Sequence, residues 1–576
     1  MVFATMTSMK AASGTQPQEV VTLLGYYTPG DGGGGSFYWD TSSGLSGNDG
    51  TIVQAPGGYW VRLMDEPASV KWFGVKEDVQ GPDLTDNTQR LQRCLDSCMS
   101  ILFDTGSYSV NATLNVKSYR HIDLNGSTLK FVNATAGGAL LRIQQQIKIT
   151  IMNGTFVDNT ANTSLGIFII GDPNATTQLP ASAYASDIVI DRISMLYFAK
   201  SVVQENATRR VNILNSNFYC QNGVEYRGKT VENVIDGTVI YCSASVTGCF
   251  GIGLLGRPEG AILYPEGLTI TNCTIDAFYN TFHVENIYTL QVCNNYLGAN
   301  TVNGNATFYF TKGVASHCED LLIENNMIYA RGIIFNPNTA SPQLYHASIA
   351  NCIFSDQKGT GVTLNNFAGN VAIRECQFKA ASATTTNVAI VANNNNLYLA
   401  ISDIQIDNTY TTPIQIKGTG SNNSSIANVS YRGTGDLLYL EQPVLLSNNR
   451  YGTLSDISYV YKYQPITGSY NPGQKITGVT KKFAKGEQGL IILNGYCTLA
   501  TNKSILYVSV PAGVTLASGT GWASNFIMLH GNQHVSFSIP YFVLSDVAGE
   551  IELTNFDENT GAVTFDYHAY FGVMQG

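Results

Sequence analysis

The 576-residue sequence predicts an all-β protein: a long parallel β-helix, preceded by a small β-module and a capping helix and followed by an antiparallel β-sandwich. Three observations predict this. A strand–polar turn–apolar pattern recurs from residue 120 onward, in "TIMNGTF", "NILNSNF", "TITNCTI", "LIENNMI", "SIANCIF", "AIRECQF" and "SIANVSY". Charged residues make up only 13 %, and Gly, Asn, Thr, Ser, Tyr and Phe abound, a mixture suited to strands and turns. A single amphipathic helical stripe stands before hundreds of β-rich residues, where a lid on the end of a coil belongs.

In chain order, residues 1–19 read as a flexible segment, with neither the charged start nor the apolar core of a signal peptide. Residues 20–66 read as a small β-module: aromatic strand, Gly-rich turn, aromatic strand. Its GDGGGG run lacks the GK[ST] and the following helix of a phosphate loop, so a turn is expected. Leu91, Cys94, Leu95 and Cys98 fall at i, i+3, i+4 and i+7, predicting a helix near 85–99 with Thr85 or Asp86 as N-cap. The repeat then fills the remainder of 67–440. Its turn anchors are Asn153, Arg192, Asn215, Asp236, Asn272, Cys293, Asn325, Asn351, Glu375, Asp403 and Asn428, most of them roughly 21–28 residues apart, a solenoid period. Asn in such a turn is placed to hydrogen-bond its neighbour one coil away. Residues 441–481 read as an irregular connection, and 482–576 as the antiparallel sandwich.

The segment "FGVKEDVQGPDLTDNTQRLQRCLD" resembles the opening of pectate-lyase-like β-helix proteins, where a Phe-Gly pair (Phe73-Gly74) precedes a Thr-Asp-x-Thr capping helix (Thr85-Asp86-Asn87-Thr88). The preceding "GYYTPGDGGGGSFYWD…GTIV…YWVRL" is similar to the neck found in bacteriophage tailspikes that depolymerise bacterial capsule. The resemblance spans residues 20–440. It implies a right-handed coil, a homotrimer, bacterial capsular polysaccharide as substrate, and a virion component made in the host cytoplasm and attached through its N-terminus. The short 1–19 segment points to docking on another phage tail protein. The resemblance supplies no catalytic residues, because these enzymes place them differently from one to the next.

Candidate site residues come instead from aligning the second strand of each coil: "GIFII" at 166, "SVVQE" at 201, "GVEYR" at 223, "GIGLL" at 251, "TFHVE" at 281, "TFYFT" at 307 and onward. Positions two and four are apolar except Gln204, so they face the core. The outward rows are then Phe168, Val203, Glu225, Gly253, His283, Tyr309, Ile334, Thr363, Ala389, Gln415 and Ile170, Glu205, Arg227, Leu255, Glu285, Thr311, Asn336, Asn365, Val391, Lys417. Ionisable groups concentrate in four consecutive coils, with Gly253 and Leu255 as an uncharged notch. Glu205 is expected to pair with Arg227. Glu225 and Glu285, with Cβ atoms on the order of 12 Å apart, reach the spacing of an inverting glycosidase. His283 beside Tyr309 suits a lyase, with Arg227 holding a uronate carboxylate. Phe168 and Asn336 would contact sugar. Acidic groups outnumber the single groove histidine, which tilts the expectation to hydrolysis; elimination, a non-catalytic adhesin and a structural fibre are the other readings. A site between subunits, or one on insertion loops carrying Arg257, Glu259 and Glu266 or His317, Glu319 and Asp320, competes with this patch.

Other classes fit poorly. A net charge of −10 offers nothing to nucleic acid or anionic membrane, and no apolar run approaches a membrane span. Eleven scattered cysteines without a CxxC read as reduced and mostly buried, and no motif calls for a metal or cofactor. "GIGLLG" matches GxGxxG at Gly251, Gly253 and Gly256 but lacks the following helix of a dinucleotide site.

Overall fold

The computed structural model describes residues 1–451 apart from short internal segments such as 256–263, and beyond them six strands between Gln488 and Met574. It forms two compact units, Met1–Leu322 and Ile323–Gly576.

The first unit opens with a five-stranded sheet in the order Val2–Phe3, Val20–Leu23, Gly35–Asp40, Gly58–Arg62, Ile52–Ala55. Phe37, Trp39 and Trp60 fill its core together with Met6 and Met9. The first nineteen residues are thus not a loose tail: Val2–Phe3 pairs with Val20–Leu23, and the helix Met6–Lys10 seals the sheet. Apolar Phe3, Met6 and Met9 at short spacing carried that signal.

Arg62 explains the glycine run. Its guanidinium is buried and donates to the carbonyls of Gly50 (3.1 Å), Gly34 (2.7 Å) and Gly33 (2.9 Å), between the rings of Phe37 and Trp72. Burial pulls its pKa down to about 10, leaving it a cation at neutral pH. Asp31 gathers the amides of Tyr26, Tyr27, Thr28 and Gly33, which bends the loop so that its carbonyls face Arg62. A phosphate loop presents amides; this one presents carbonyls to a cation.

The capping helix runs Thr88–Ser97 and buries Leu91, Cys94 and Leu95, with Cys98 following at the C-cap. These side chains meet Ile101, Phe103, Ile122, Leu129 and Phe156 and close the end of the coil. The N-cap position is Asn87, not Thr85 or Asp86. Its amide is committed to the backbone of Lys76, so the carboxylate of Asp86 accepts the Thr88 N–H instead, at 2.9 Å.

Each coil then holds two strands joined by one left-handed residue, such as Thr208–Leu214 and Asn217–Cys220, and a third strand, Asn222–Arg227. The corner residues include Asn153 (φ 60°), Arg192 (52°), Asn215 (47°) and Asn272 (54°), as the anchors predict. In two coils the left-handed residue is the next one, Gly237 and Asn294, rather than Asp236 and Cys293. Asn tolerates this conformation because its side chain bonds locally. Asn153, Asn215 and Asn272 each donate to an aspartate of the preceding coil: Asp123, Asp191 and Asp236. The residue after the corner tucks inside: Ser216, Thr238, Cys273 and Asn295 occupy successive coils, and Ser216 and Cys273 each donate to a carbonyl two residues back. All nine described cysteines are free thiols, eight of them buried.

The second unit repeats this coil. Asn325, Asn351, Glu375, Asp403 and Asn428 are left-handed corners, and Phe354 stacks on Phe378 at 4.4 Å. One alignment needs correcting. Val362–Asn365 pairs with Ile390–Asn393 so that Thr363 meets Val391 and Asn365 meets Asn393, two residues beyond the expected Ala389 and Val391. A two-residue slip leaves side-chain parity unchanged, so the hydrophobic pattern does not resolve it. Further on, Gln488–Leu499, Thr515–Leu516 and Phe526–His530 pair antiparallel with Val563–Met574, and Ile505–Ser509 with Glu550–Thr554. This agrees with the antiparallel character expected there; most of the connection at 441–481 lies outside the described residues.

Arg62→Ala removes three donors and strands three carbonyls, and is expected to cost the N-terminal module on the order of 3 kcal/mol. Denaturant unfolding followed by tryptophan emission measures this, since Trp72 lies against Arg62 and Trp39 and Trp60 sit in the core of the same module. Arg62→Lys should recover only a fraction, because an ammonium cannot span three carbonyls set for a fork.

Candidate functional site

The third strands of the first unit's coils form one parallel sheet: Ala139–Gln144, Leu165–Ile170, Lys200–Glu205, Asn222–Arg227, Phe250–Leu255, Asn280–Val284 and Ala306–Phe310 in succession. The register matches the sequence alignment across six coils. Phe168 meets Val203, Val203 meets Glu225, Glu225 meets Gly253, Gly253 meets His283 and His283 meets Tyr309. The alternate positions Val202, Val224, Ile252, Phe282 and Phe308 are fully buried. Gln204 lies in that interior and accepts a hydrogen bond from Thr208 at 3.0 Å.

Within this register the outer row separates into two clusters. In the first, Glu225 is only 1 % exposed, and its carboxylate is gripped by Lys200 Nζ at 2.6 Å and by Arg227 Nε. Arg227 Nη1 also approaches Glu205 at 3.6 Å, the pair the row predicts. Two cations neutralise a carboxylate that is out of solvent, as a buried charge requires.

The second cluster is centred on His283. Its Nε2 lies 3.7 Å from Glu285 Oε1, and its ring sits between Phe250 (6.1 Å) and Tyr309 (5.9 Å). Side-chain exposures of 22 % for His283 and 29 % for Glu285 leave both within reach of a ligand. His283 Nδ1 is buried and has no hydrogen-bond partner among the described residues. The expected notch at Gly253 is not open. Phe250 folds its ring over that glycine, where a Cβ would come within 2.5 Å of it.

Phe168 stands apart, one coil beyond Arg142, whose guanidinium lies 5.8 Å from its ring centroid. Asn336, Arg257, Glu259 and His317 lie outside the described residues. Glu266 is engaged by Lys229 at 3.1 Å. Sequence reading missed Arg142, Lys200 and Phe250. Extending the alignment one coil back, to "ALLRIQ", would have found the first; the other two precede the aligned pentapeptides by one residue and reach back over the sheet. Among the described residues no group of three or more His, Cys, Asp or Glu side chains gathers to hold a metal ion.

Comparison with known proteins adds the following. Residues 2–65 match the model of the phage tail protein small four-stranded beta-sheet domain. The tailspike protein gp49 from Pseudomonas phage LKA1 superposes with a TM-score of 0.50 at 12% identity, over 88% of this chain and 100% of that one. The enzymatically active domain of tailspike protein 2 from bacteriophage CBA120 gives 0.44 at 13% identity, over 100% and 86%. Gp49 from Acinetobacter baumannii bacteriophage Fri1, a capsular polysaccharide depolymerase, gives 0.35 at 13% identity, over 99% and 100%. Residues 2–65 thus carry a phage tail β-sheet domain, and the β-helix that follows has the fold seen in a phage tailspike.

Proposed function

We propose that this protein is a tailspike that binds bacterial capsular polysaccharide and cuts it within the chain, and that the His283–Glu285–Tyr309 cluster does the cutting. The observation that carries the proposal is this imidazole, carboxylate and phenol meeting on one side of a long parallel sheet, with aromatic rings alongside. A polymer lies along such a surface, and rings such as Tyr309 and Phe168 give sugar faces a place to stack.

The setting of Glu225 bears on the choice between the chemistries. A hydrolase built on Glu225 and Glu285 needs both carboxyls free to meet substrate and water. Here Glu225 is enclosed by Lys200 and Arg227, and Phe250 covers the coil between it and His283. That arrangement favours elimination over the hydrolysis expected from the count of acidic groups. In elimination, His283 or Tyr309 takes the C5 proton of a uronate, the C4–O bond breaks as the C4=C5 double bond forms, and the other group protonates the departing oxygen. Arg227, bridging Glu205 and Glu225, bounds the site on the side where the uronate carboxylate is held. Hydrolysis remains the second reading, supported by the exposure of Glu285. The homotrimer and the docking of the N-terminal domain on another tail protein complete the proposal.

Incubation with purified capsular polysaccharides, following reducing ends and the ultraviolet absorbance of an unsaturated uronate, tests both. Both signals rising together are expected; reducing ends alone would move the chemistry to Glu285 as acid. Binding without either signal across a wide panel would make the protein an adhesin. His283→Ala should lower turnover by about 10²-fold or more, the usual range for a lost acid or base. Glu225→Gln should behave differently, lowering stability by on the order of 3 kcal/mol because Lys200 and Arg227 lose their counter-charge. Turnover per folded molecule should then stay within a few-fold; its collapse with stability unchanged would return Glu225 to the catalytic pair.

A further inference from the structure

A second surface of the first unit carries an arrangement that the proposed cutting cluster does not use. It lies on the strands that follow the left-handed corners: Asn217–Cys220, Val239–Cys242, Thr274–Ala277 and Tyr296–Ala299. Tyr197, Tyr219 and Tyr241 form an exposed ladder there, with ring centroids 5.8 and 5.3 Å apart. Tyr219 and Tyr241 are nearly parallel, at 20°. The register then changes character: Tyr241 is followed in the next coil by Asp276, and Asp276 by Gly298. The aromatic row therefore stops, and the face of Tyr241 turned away from Tyr219 looks onto a step. Gly298 has no side chain to continue the row, so the carboxyl of Asp276 leans into the space above it, and Tyr296, exposed and two residues before Gly298, rises at its side.

Asp276 sits in that step. Burial raises its pKa, and among the described residues neither a hydrogen bond nor an ion pair reaches its carboxyl. A half-buried acid without a partner is a cost unless something binds it. The outward positions of these four strands are Asn217, Tyr219, Val239, Tyr241, Thr274, Asp276, Tyr296 and Gly298, without a single cation.

We infer that the step between Tyr241 and Tyr296 is a second glycan-binding site, which takes an uncharged pyranose unit against the ring of Tyr241 with Asp276 bonding its hydroxyls. A sugar ring has one apolar face to lie on Tyr241 and hydroxyls along its edge to satisfy Asp276. An anionic sugar would meet a carboxyl and no cation. The same strip of a second copy, laid over this one, would bury Asp276 without a counter-charge, which protein interfaces avoid at their centres. The inference rests on reading the chain as a glycan-recognising tailspike, yet it is separable from the cutting cluster. A polymer held here stays attached while another stretch of it is cut.

Affinity electrophoresis of the full-length protein in gels containing purified capsular polysaccharide, or neutral glucan, galactan or mannan, tests the site. Retardation is expected in at least one gel. Tyr241→Ala should weaken it at least tenfold and Asp276→Ala about threefold, while Tyr241→Phe, which keeps the ring, should stay within twofold of the parent. His283→Ala should be retarded as the parent is, even though cutting is lost. Equal retardation of the parent and Tyr241→Ala would overturn the site, as would a change in oligomeric state in Tyr241→Ala with retardation intact. No retardation of a protein that still cuts capsule would overturn this site and leave the cutting proposal standing. Retardation lost in Tyr241→Ala from a protein that cuts nothing would do the reverse.

Discussion

The single left-handed residue at each corner is the constraint on which the rest of the first unit's coil depends. A chain that stacks on itself every coil, with strands about 4.8 Å apart, must turn sharply at the same place each time. One residue at positive φ makes that turn with no insertion. Asn supplies it most often, and its amide is then held by an aspartate one coil back, as in Asn215 with Asp191. Once the corner is fixed, the strands on either side have no freedom of register. The inner residue after the corner is placed as well, so small polar or thiol groups such as Ser216 and Cys273 occupy it and satisfy carbonyls in a place water does not reach.

Fixed register makes the outer surface a ruled grid. Side chains two residues apart in one strand and one coil apart in the next meet at set spacings, so clusters form by coincidence of rows. Glu225 comes under Lys200 and Arg227 because the strand start of one coil and the strand end of the next converge on it. His283 gains Phe250 and Tyr309 because they flank it one coil to either side. In both cases the physics is local. Opposite charges neutralise where burial would otherwise be prohibitive, and rings gather where Gly253 leaves room.

Much of this was legible in the sequence. The corner anchors, the inner rows and the outer row from Phe168 to Tyr309 follow from period-two alternation within a longer repeat; the structure reproduces the outer row residue by residue and the corners except at Asp236 and Cys293, where the next residue turns. The slip at Val391 escaped because alternation defines parity and not position. The closure of Glu225 escaped because Lys200 and Phe250 lie just ahead of the aligned segments and bend over the sheet, which no periodicity reports. The segment at residues 1–19 was misread because its signal is only Phe3, Met6 and Met9, three apolar residues spread over a two-residue strand and a five-residue helix. Arg62 escaped for a different reason: a lone cation at a strand end looks solvated until the glycines that enclose it are seen in space.

Because inner and outer rows alternate strictly, the surface of this coil is decoupled from its interior. A substitution at a partly exposed outward position such as His283 or Tyr309 changes what is displayed without disturbing Phe282 or Phe308 beneath it, whereas the enclosed Glu225 has no such freedom. A lineage with this architecture can change its display one residue at a time at the exposed outward positions, with its corners and its enclosed ion pairs as the places least free to vary.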